Sequence, residues 1–270
     1  MHVIDRRTFL ADMGRGAVAL AVVSLAACSP AATASPLRSS SLSGSATPRI
    51  GSPAPSTPAT GSTPPSGAPP ASSGEGTTWE RVNLGFVSAY ILVRGGEAAI
   101  VDTGVGGSAD SIEASLSAIG LDWASVGHLV LTHRHDDHVG SAAEVLERAA
   151  DATGYAGEAD LAGITVPRAL SAVGDGGRVF DLEIVTAPGH TPGSICVFDP
   201  ASSFLIAGDA LRTAGGVPTM PGEQFSHDMA EASRSAAKLG ALTFDTLLVG
   251  HGEPIASGAS AAVAELAARQ

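Results

Sequence analysis

One short run constrains this chain more than any other: Leu131-Thr132-His133-Arg134-His135-Asp136-Asp137-His138-Val139-Gly140. Three histidines and two aspartates fall between positions 133 and 138. The residues before it, Val126-Gly127-His128-Leu129-Val130-Leu131, are short and apolar and predict a buried strand. Those after it, Gly140 to Leu146, predict the first turns of a helix. The polar run therefore sits in a loop at a strand end, where a sheet fixes the base of the loop and leaves its side chains free to converge. Neutral imidazole and carboxylate together suit zinc and its first-row neighbours. His133 and His135, two apart, point the same way from extended backbone and suit one ion. Asp137 and His138 lie further round the turn, placed for a second.

Four more stretches follow the same style, each a short apolar segment that ends in glycine and a polar residue. They are Ile100-Val101-Asp102-Thr103-Gly104, Ala187-Pro188-Gly189-His190-Thr191-Pro192-Gly193-Ser194, Ala207-Gly208-Asp209-Ala210 and Val249-Gly250-His251-Gly252-Glu253-Pro254. With the central His-x-His-x-Asp-His pattern they resemble, in order, the motifs of the metallo-β-lactamase superfamily of metal-dependent hydrolases, over about residues 80 to 255. The resemblance implies an α/β (α+β) fold, a four-layer αββα sandwich of two mixed sheets flanked by helices; periodicity alone gives only α/β. It implies that His133, His135 and His190 hold one divalent ion, that Asp137, His138 and His251 hold another, and that Asp209 bridges them. The expected ions are zinc, with iron or manganese as alternatives. Asp102 is expected to orient a ligand imidazole from behind. Asp137 is the expected catalytic proton acceptor, and a metal-bound hydroxide the expected nucleophile. No Gly-x-Ser-x-Gly stands between a strand and a helix to suggest a serine nucleophile.

Asp209 narrows the substrate. Zinc β-lactamases carry Cys or Ser at the corresponding position, whereas aspartate resembles the glyoxalase II, lactonase and related ester or thioester branches. Residues 252–270 are too few for the helical region with which glyoxalase II enzymes grip glutathione. The segment Ala210 to Gln224 lacks the tyrosine that acyl-homoserine lactonases place there. The expected reaction is hydrolysis of a small ester, thioester or lactone. The alternatives are β-lactam hydrolysis, a mononuclear iron sulfur dioxygenase, and a non-catalytic cell-surface binding lipoprotein. The segment Arg212 to Phe225 is expected at the substrate rim, with Arg212 either binding a carboxylate or facing solvent. His227 reads as a site-mouth residue or a helix cap, His128 as an exposed strand residue, and Cys196 as core.

Composition bounds the partners. Twenty-seven acidic residues against fifteen basic ones give a net charge of −12. Phosphate backbones need clustered Lys and Arg, so no nucleic-acid partner is expected; the partner is a small-molecule substrate. With two cysteines in unlike contexts, Cys28 and Cys196, any metal must be held by His and Asp. Residues 1–28 resemble a twin-arginine lipoprotein signal: Asp5-Arg6-Arg7-Thr8-Phe9-Leu10, an apolar run from Ala17 to Ala27, then Leu25-Ala26-Ala27-Cys28. That implies export, cleavage before Cys28 and lipidation of its thiol, with the membrane as a second partner. Residues 29–78, rich in Pro, Ser, Thr and Ala, are expected to form a disordered linker. Residues 79–270 form the expected catalytic domain. Within it, Val82 to Val93 and Glu97 to Asp102 predict a hairpin turning at Gly95-Gly96. Ser108 to Gly120, residues 140 to 150, Asp228 to Leu239 and Ser257 to Ala268 predict helices.

Overall fold

The computed structural model describes residues 76–270. The expected signal peptide, with Cys28, and nearly all of the expected linker lie outside the described residues. The first half builds one sheet. Strands β1 (Thr78–Asn83), β2 (Ser88–Arg94) and β3 (Glu97–Val101) form an antiparallel meander. Gly95 and Gly96 close its second turn at φ of 59° and 85°, the left-handed pair a two-residue hairpin demands. Helix α1 (Ala109–Ala118) then crosses to β4 (Val126–Leu131), which runs parallel to β3. Helices α2 (Asp136–Val139) and α3 (Ala142–Arg148) lead to the parallel strands β5 (Thr153–Gly157) and β6 (Ser171–Val173). These six strands lie in sequence order.

The second half builds the other sheet from β7 (Arg178–Val179), β8 (Leu182–Thr186), β9 (Ile195–Asp199) and β10 (Phe204–Ile206). A small hairpin follows, β11 (Arg212–Ala214) with β12 (Val217–Thr219), then helix α4 (Met229–Gly240), strand β13 (Thr246–Leu248) and helix α5 (Ala259–Ala267). The sheet order is β13-β10-β9-β8-β7, with β13 parallel to β10 and the other pairs antiparallel.

Side-chain alternation divides the apolar residues into three layers. Tyr90, Leu92, Val101 and Val130 of the first sheet face Ile184, Ile195, Val197, Phe204 and Ile206 of the second. On the outer face of the first sheet, Ile91, Ile100, Leu129 and Leu131 meet Ile112 and Leu116 of α1 and Val145 and Leu146 of α3. On the outer face of the second, Val185, Cys196 and Leu205 meet Ala236 and Leu239 of α4 and Val263 and Leu266 of α5. Strands buried on both faces read as unbroken apolar runs, which is why Ile195-Cys196-Val197-Phe198 shows no polar alternation. The architecture is the four-layer αββα sandwich that the resemblance implies.

Four local expectations differ from the structure. The expected strand Val82 to Val93 is two strands, because Gly85 turns the chain at φ 91°. The polar run is not wholly loop, since Asp136–Val139 make one helical turn. Strands β6, β11 and β12, three residues each, are too short to show a period. His128 is half-buried, its ring beside those of Tyr155 and Phe180, so an apolar environment holds it where a solvent-facing position was expected.

Candidate metal centre

Five strands deliver the site, and all do so from their C-terminal ends. In the first sheet, β3 ends at Asp102 and β4 leads into His133–His138. In the second, His190 follows β8, Asp209 follows β10 and His251 follows β13. Backbone hydrogen bonds stitch the two sheet edges together: Ile195 N–H to Thr132 O at 2.9 Å, and Ser88 N–H to Gly250 O at 2.9 Å. The buried Tyr90 hydroxyl adds a third stitch. It donates to Val249 O at 2.8 Å and accepts the Val249 N–H at 3.1 Å.

All seven residues expected as ligands come together. Ligand atoms of His133, His135 and His190 lie within 4.8 Å of one another; so do those of His133, His138 and Asp209, and those of Asp137, His138 and His251. Asp209 stands between the groups. Its Oδ1 is 3.4 Å from His138 Nε2, while its Oδ2 is 3.5 Å from His190 Nε2 and 3.1 Å from His251 Nε2. Asp137 Oδ2 is 3.2 Å from His251 Nε2. The packing leaves no slack: a Cβ on Gly250 would strike Asp209 Oδ1 and His138 Cε1.

The rings are aimed by their outer nitrogens. His138 Nδ1–H donates to Asp102 Oδ2 at 2.8 Å, and His251 Nδ1–H donates to the Phe86 carbonyl at 2.7 Å. Asp102 Oδ2 also accepts the Thr132 hydroxyl at 2.7 Å, which leaves Thr132 Oγ1 to accept His133 Nδ1–H at 3.1 Å. Asp102 Oδ1 accepts the Thr132 N–H at 2.7 Å. One carboxylate therefore orients His138 directly and His133 through Thr132, as expected of a residue behind the ligands. His190 Nδ1 faces Ser226 Oγ at 3.4 Å. His135 sits edge-on to the rings of His133 and His190, at 4.8 and 4.6 Å between centroids.

What remains at the centre is a set of unanswered groups. His133, His138 and His190 Nε2 and Asp209 Oδ1 are buried with no hydrogen-bond partner among the described residues. Buried polar atoms are rarely left so, because each forfeits its solvation. Four of them converging, all nitrogen or oxygen donors of the kind first-row divalent cations accept, is the signature of a metal site.

Electrostatics divides the histidines. Burial holds His133 well below its ordinary value and lowers His190 to about 4, so both are neutral. Burial also opposes charge on His138, but the Asp102 and Asp209 carboxylates outweigh it and raise the ring to about 10. His251 is raised to about 9 by its contacts with Asp137 and Asp209. The contact with His251 in turn lowers Asp137. For Asp209, burial favours the neutral acid, yet His138 and His251 hold it well below the usual carboxylate range. In the metal-free protein two protonated imidazoles thus face three carboxylates, Asp102, Asp137 and Asp209, and a cation would bind by displacing those protons.

Sequence reasoning missed Thr132, Asp160, Thr191 and the Phe86 carbonyl. Thr132 had a faint signal, a hydroxyl where an apolar strand meets the motif; a backbone carbonyl has none. His227 lines the cavity beside the centre, and Asp228 is the residue that caps α4, accepting the Glu231 N–H at 2.9 Å. Cys196 is fully buried in the core, and burial pushes its thiol up to about 12.

A two-sheet sandwich that gathers imidazoles and carboxylates on one edge is a scaffold suited to binding metal ions. The sequence profile of the Metallo-beta-lactamase superfamily matches residues 82–251, and the chain belongs to that family. Family members generally bind divalent metals. Among relatives, the chain is 36% identical over 124 residues to a hydroxyacylglutathione hydrolase of Erwinia tasmaniensis, a match spanning 44% of this chain and 45% of that protein. It therefore spans about half the length of that relative. It is 34% identical over 173 residues to Metallo-beta-lactamase domain-containing protein 1 of Xenopus laevis, 60% of this chain and 70% of that one. In fold it resembles a metallo-beta-lactamase family protein of Thermus thermophilus, with a TM-score of 0.59, 23% identity, and 72% and 79% of the two chains covered.

The Asp102 geometry generates a prediction. Asp102→Asn keeps a side chain that tolerates the positive φ of 61° there but presents an amide N–H₂ to one of its donors. Divalent-metal affinity, read by chelator competition, is expected to fall about 10- to 100-fold, with the circular dichroism spectrum unchanged.

Proposed function

We propose that this protein is a dinuclear metal-dependent hydrolase of a small ester, thioester or lactone. The observation that carries it is the convergence of His133, His135, His190, Asp137, His138, His251 and Asp209, with inward atoms of His133, His138, His190 and Asp209 buried and without a hydrogen-bond partner among the described residues. His133, His135 and His190 would hold one ion, Asp137, His138 and His251 the other, and Asp209 would face both. Zinc suits this nitrogen and oxygen set best, with iron or manganese as alternatives. Such ions supply the Lewis acidity that lowers the pKa of a coordinated water and polarises the substrate's acyl oxygen. Asp137, ionised and opening onto the cavity, accepts the proton of the attacking water. No side-chain nucleophile is needed. The hydroxyacylglutathione hydrolase relative supports the acyl-transfer chemistry; aspartate at 209 supports the ester and thioester branch over β-lactams.

The cavity beside the centre, about 880 Å³, suits a small organic molecule. Phe86 and Phe225, both largely exposed, form apolar walls. Two arginines line it. Arg134 is tied to Asp160 at 2.9 Å, but Arg212 has no acidic partner among the described residues, and its Nε is buried without a hydrogen bond. In so acidic a protein, a cation left free in the cavity wall supports a substrate that carries a carboxylate. We also propose export and lipid anchoring at Cys28, on the strength of the leader sequence alone.

Three measurements check these proposals. Purified protein is expected to hold close to two equivalents of metal and to turn over a member of an ester, thioester and lactone panel. His135→Ala is expected to lose about one equivalent and to reduce kcat by at least about 100-fold. One iron with oxygen-dependent turnover would instead indicate a dioxygenase. Arg212→Ala is expected to raise KM about 10-fold, or about 1.4 kcal/mol, for a carboxylate-bearing substrate, and to leave KM for its neutral amide unchanged. Cys28→Ser is expected to move the protein from the membrane to the soluble fraction and to abolish incorporation of labelled fatty acid.

A further inference from the structure

We infer that Asp160 is a positioning residue that sets the mutual placement of His133, His135 and His190, and so governs the affinity of one ion and not of the other. The inference rests on the two-ion reading above. Asp160 lies in the short 3₁₀ helix Glu158–Gly163 that follows β5. It has no exposed surface and is not among the clustered ligand groups.

Its carboxylate is filled by four donors from two loops. Oδ2 accepts the Arg134 backbone N–H at 3.0 Å and the Thr191 hydroxyl at 2.6 Å. Oδ1 accepts the Arg134 guanidinium at 2.9 Å and the Gly193 N–H at 3.1 Å. Arg134 stands between His133 and His135; Thr191 directly follows His190. Each oxygen therefore takes one donor from the loop of the first sheet and one from the loop of the second. A carboxylate is planar and rigid, so it fixes the spacing of the two loops and with it the separation of the three imidazoles.

The surroundings are shaped for this approach. A Cβ on Gly193 would lie 2.5 Å from the Asp160 backbone nitrogen and 2.6 Å from its Cγ. A Cβ on Gly163 would lie 2.6 Å from Arg134 Cδ. Only glycine at both places lets the loops close on the carboxylate. Stability is a poor reason for such an arrangement, since apolar packing commonly serves as well as a buried ion pair. What the pair adds is geometry. The ligands of the other ion are held by different contacts, His138 by Asp102 and His251 by the Phe86 carbonyl, and none of these reaches Asp160. The effect should be one-sided.

The test is zinc titration of the full chain in competition with a chromophoric chelator, giving two dissociation constants; His135→Ala identifies which belongs to the ion in question. Asp160→Asn, which keeps the shape and turns two donors against an amide N–H₂, is expected to raise that constant about 10-fold or more and to leave the other within about three-fold. Should Asp160→Asn not fold, Thr191→Val removes a single donor and is expected to give the same one-sided weakening. Unchanged constants in a folded variant, or equal rises in both, overturn the inference while the two-ion reading stands. Wild-type protein that takes up fewer than two ions overturns that reading and the inference together.

Discussion

The structure depends on holding seven donor groups face to face while four of their inward atoms stay without a hydrogen-bond partner among the described residues. Imidazole nitrogens and carboxylate oxygens brought this close would ordinarily rotate to pair or to escape. Here rings are caught by their outer nitrogens, so the inner nitrogens have only one place to point. Asp102 carries the largest share, since its two oxygens take the Thr132 amide, the Thr132 hydroxyl and His138 Nδ1. It does so from a left-handed backbone conformation, φ 61°, that few residues but glycine, asparagine and aspartate adopt at low cost. The strain sits where the chain leaves β3 and must turn its carboxylate under the neighbouring strand, which is the kind of place where strained backbone accompanies function.

The rest of the fold supplies the frame for that arrangement. Neither sheet holds a complete ligand set: the first provides His133, His135, Asp137 and His138, the second His190, Asp209 and His251. The centre exists only because the apolar faces of the two sheets dock, through residues such as Leu92, Val101, Ile184 and Ile206, with their C-terminal edges level. Docking of apolar faces is tolerant of small shifts, whereas coordination distances are not. The polar stitches across the edges, Ile195 to Thr132, Ser88 to Gly250, Tyr90 to Val249 and the Asp160 bridge, remove that tolerance. Hydrophobic burial thus brings the halves together, and a few buried hydrogen bonds decide how they align.

What was legible in the sequence follows from the same division. The seven candidate ligands are all His or Asp beyond strand ends, four in one run and three beside glycine at Gly189, Gly208 and Gly250, so residue type and position coincide and all seven stand out. Layer architecture was legible only through the family resemblance, because doubly buried strands lose the alternation that marks a sheet face. The groups that aim the ligands were mostly hidden. Asp160 occupies a short 3₁₀ turn with no motif around it, and its partners are 26 to 33 residues away in the chain. The Phe86 carbonyl, 165 positions from His251, has no side-chain signature at all. Gly85 divides β1 from β2 inside an apolar stretch, where a glycine alone does not distinguish a turn from a bulge.

Charge connects the centre to the choice of substrate. The protein carries a net charge of −12, and the three carboxylates of the centre, Asp102, Asp137 and Asp209, are offset only in part by His138 and His251. On the proposed two-ion reading, two divalent ions would bring four positive charges and displace protons from those two rings, making the loaded centre a local positive field in an acidic molecule. Arg212 extends that field along the cavity wall, fixed by a strand whose next residue, Thr213, donates its backbone N–H to the His251 carbonyl at 3.1 Å. The backbone that carries the cation is therefore tied to the loop that carries His251. On the proposed reading, an anionic substrate drawn to the centre would have a second point of attachment at Arg212, and two points of attachment would select for length as well as charge. A neutral ester of the same size would lack that second polar attachment and would meet the apolar walls of Phe86 and Phe225 instead.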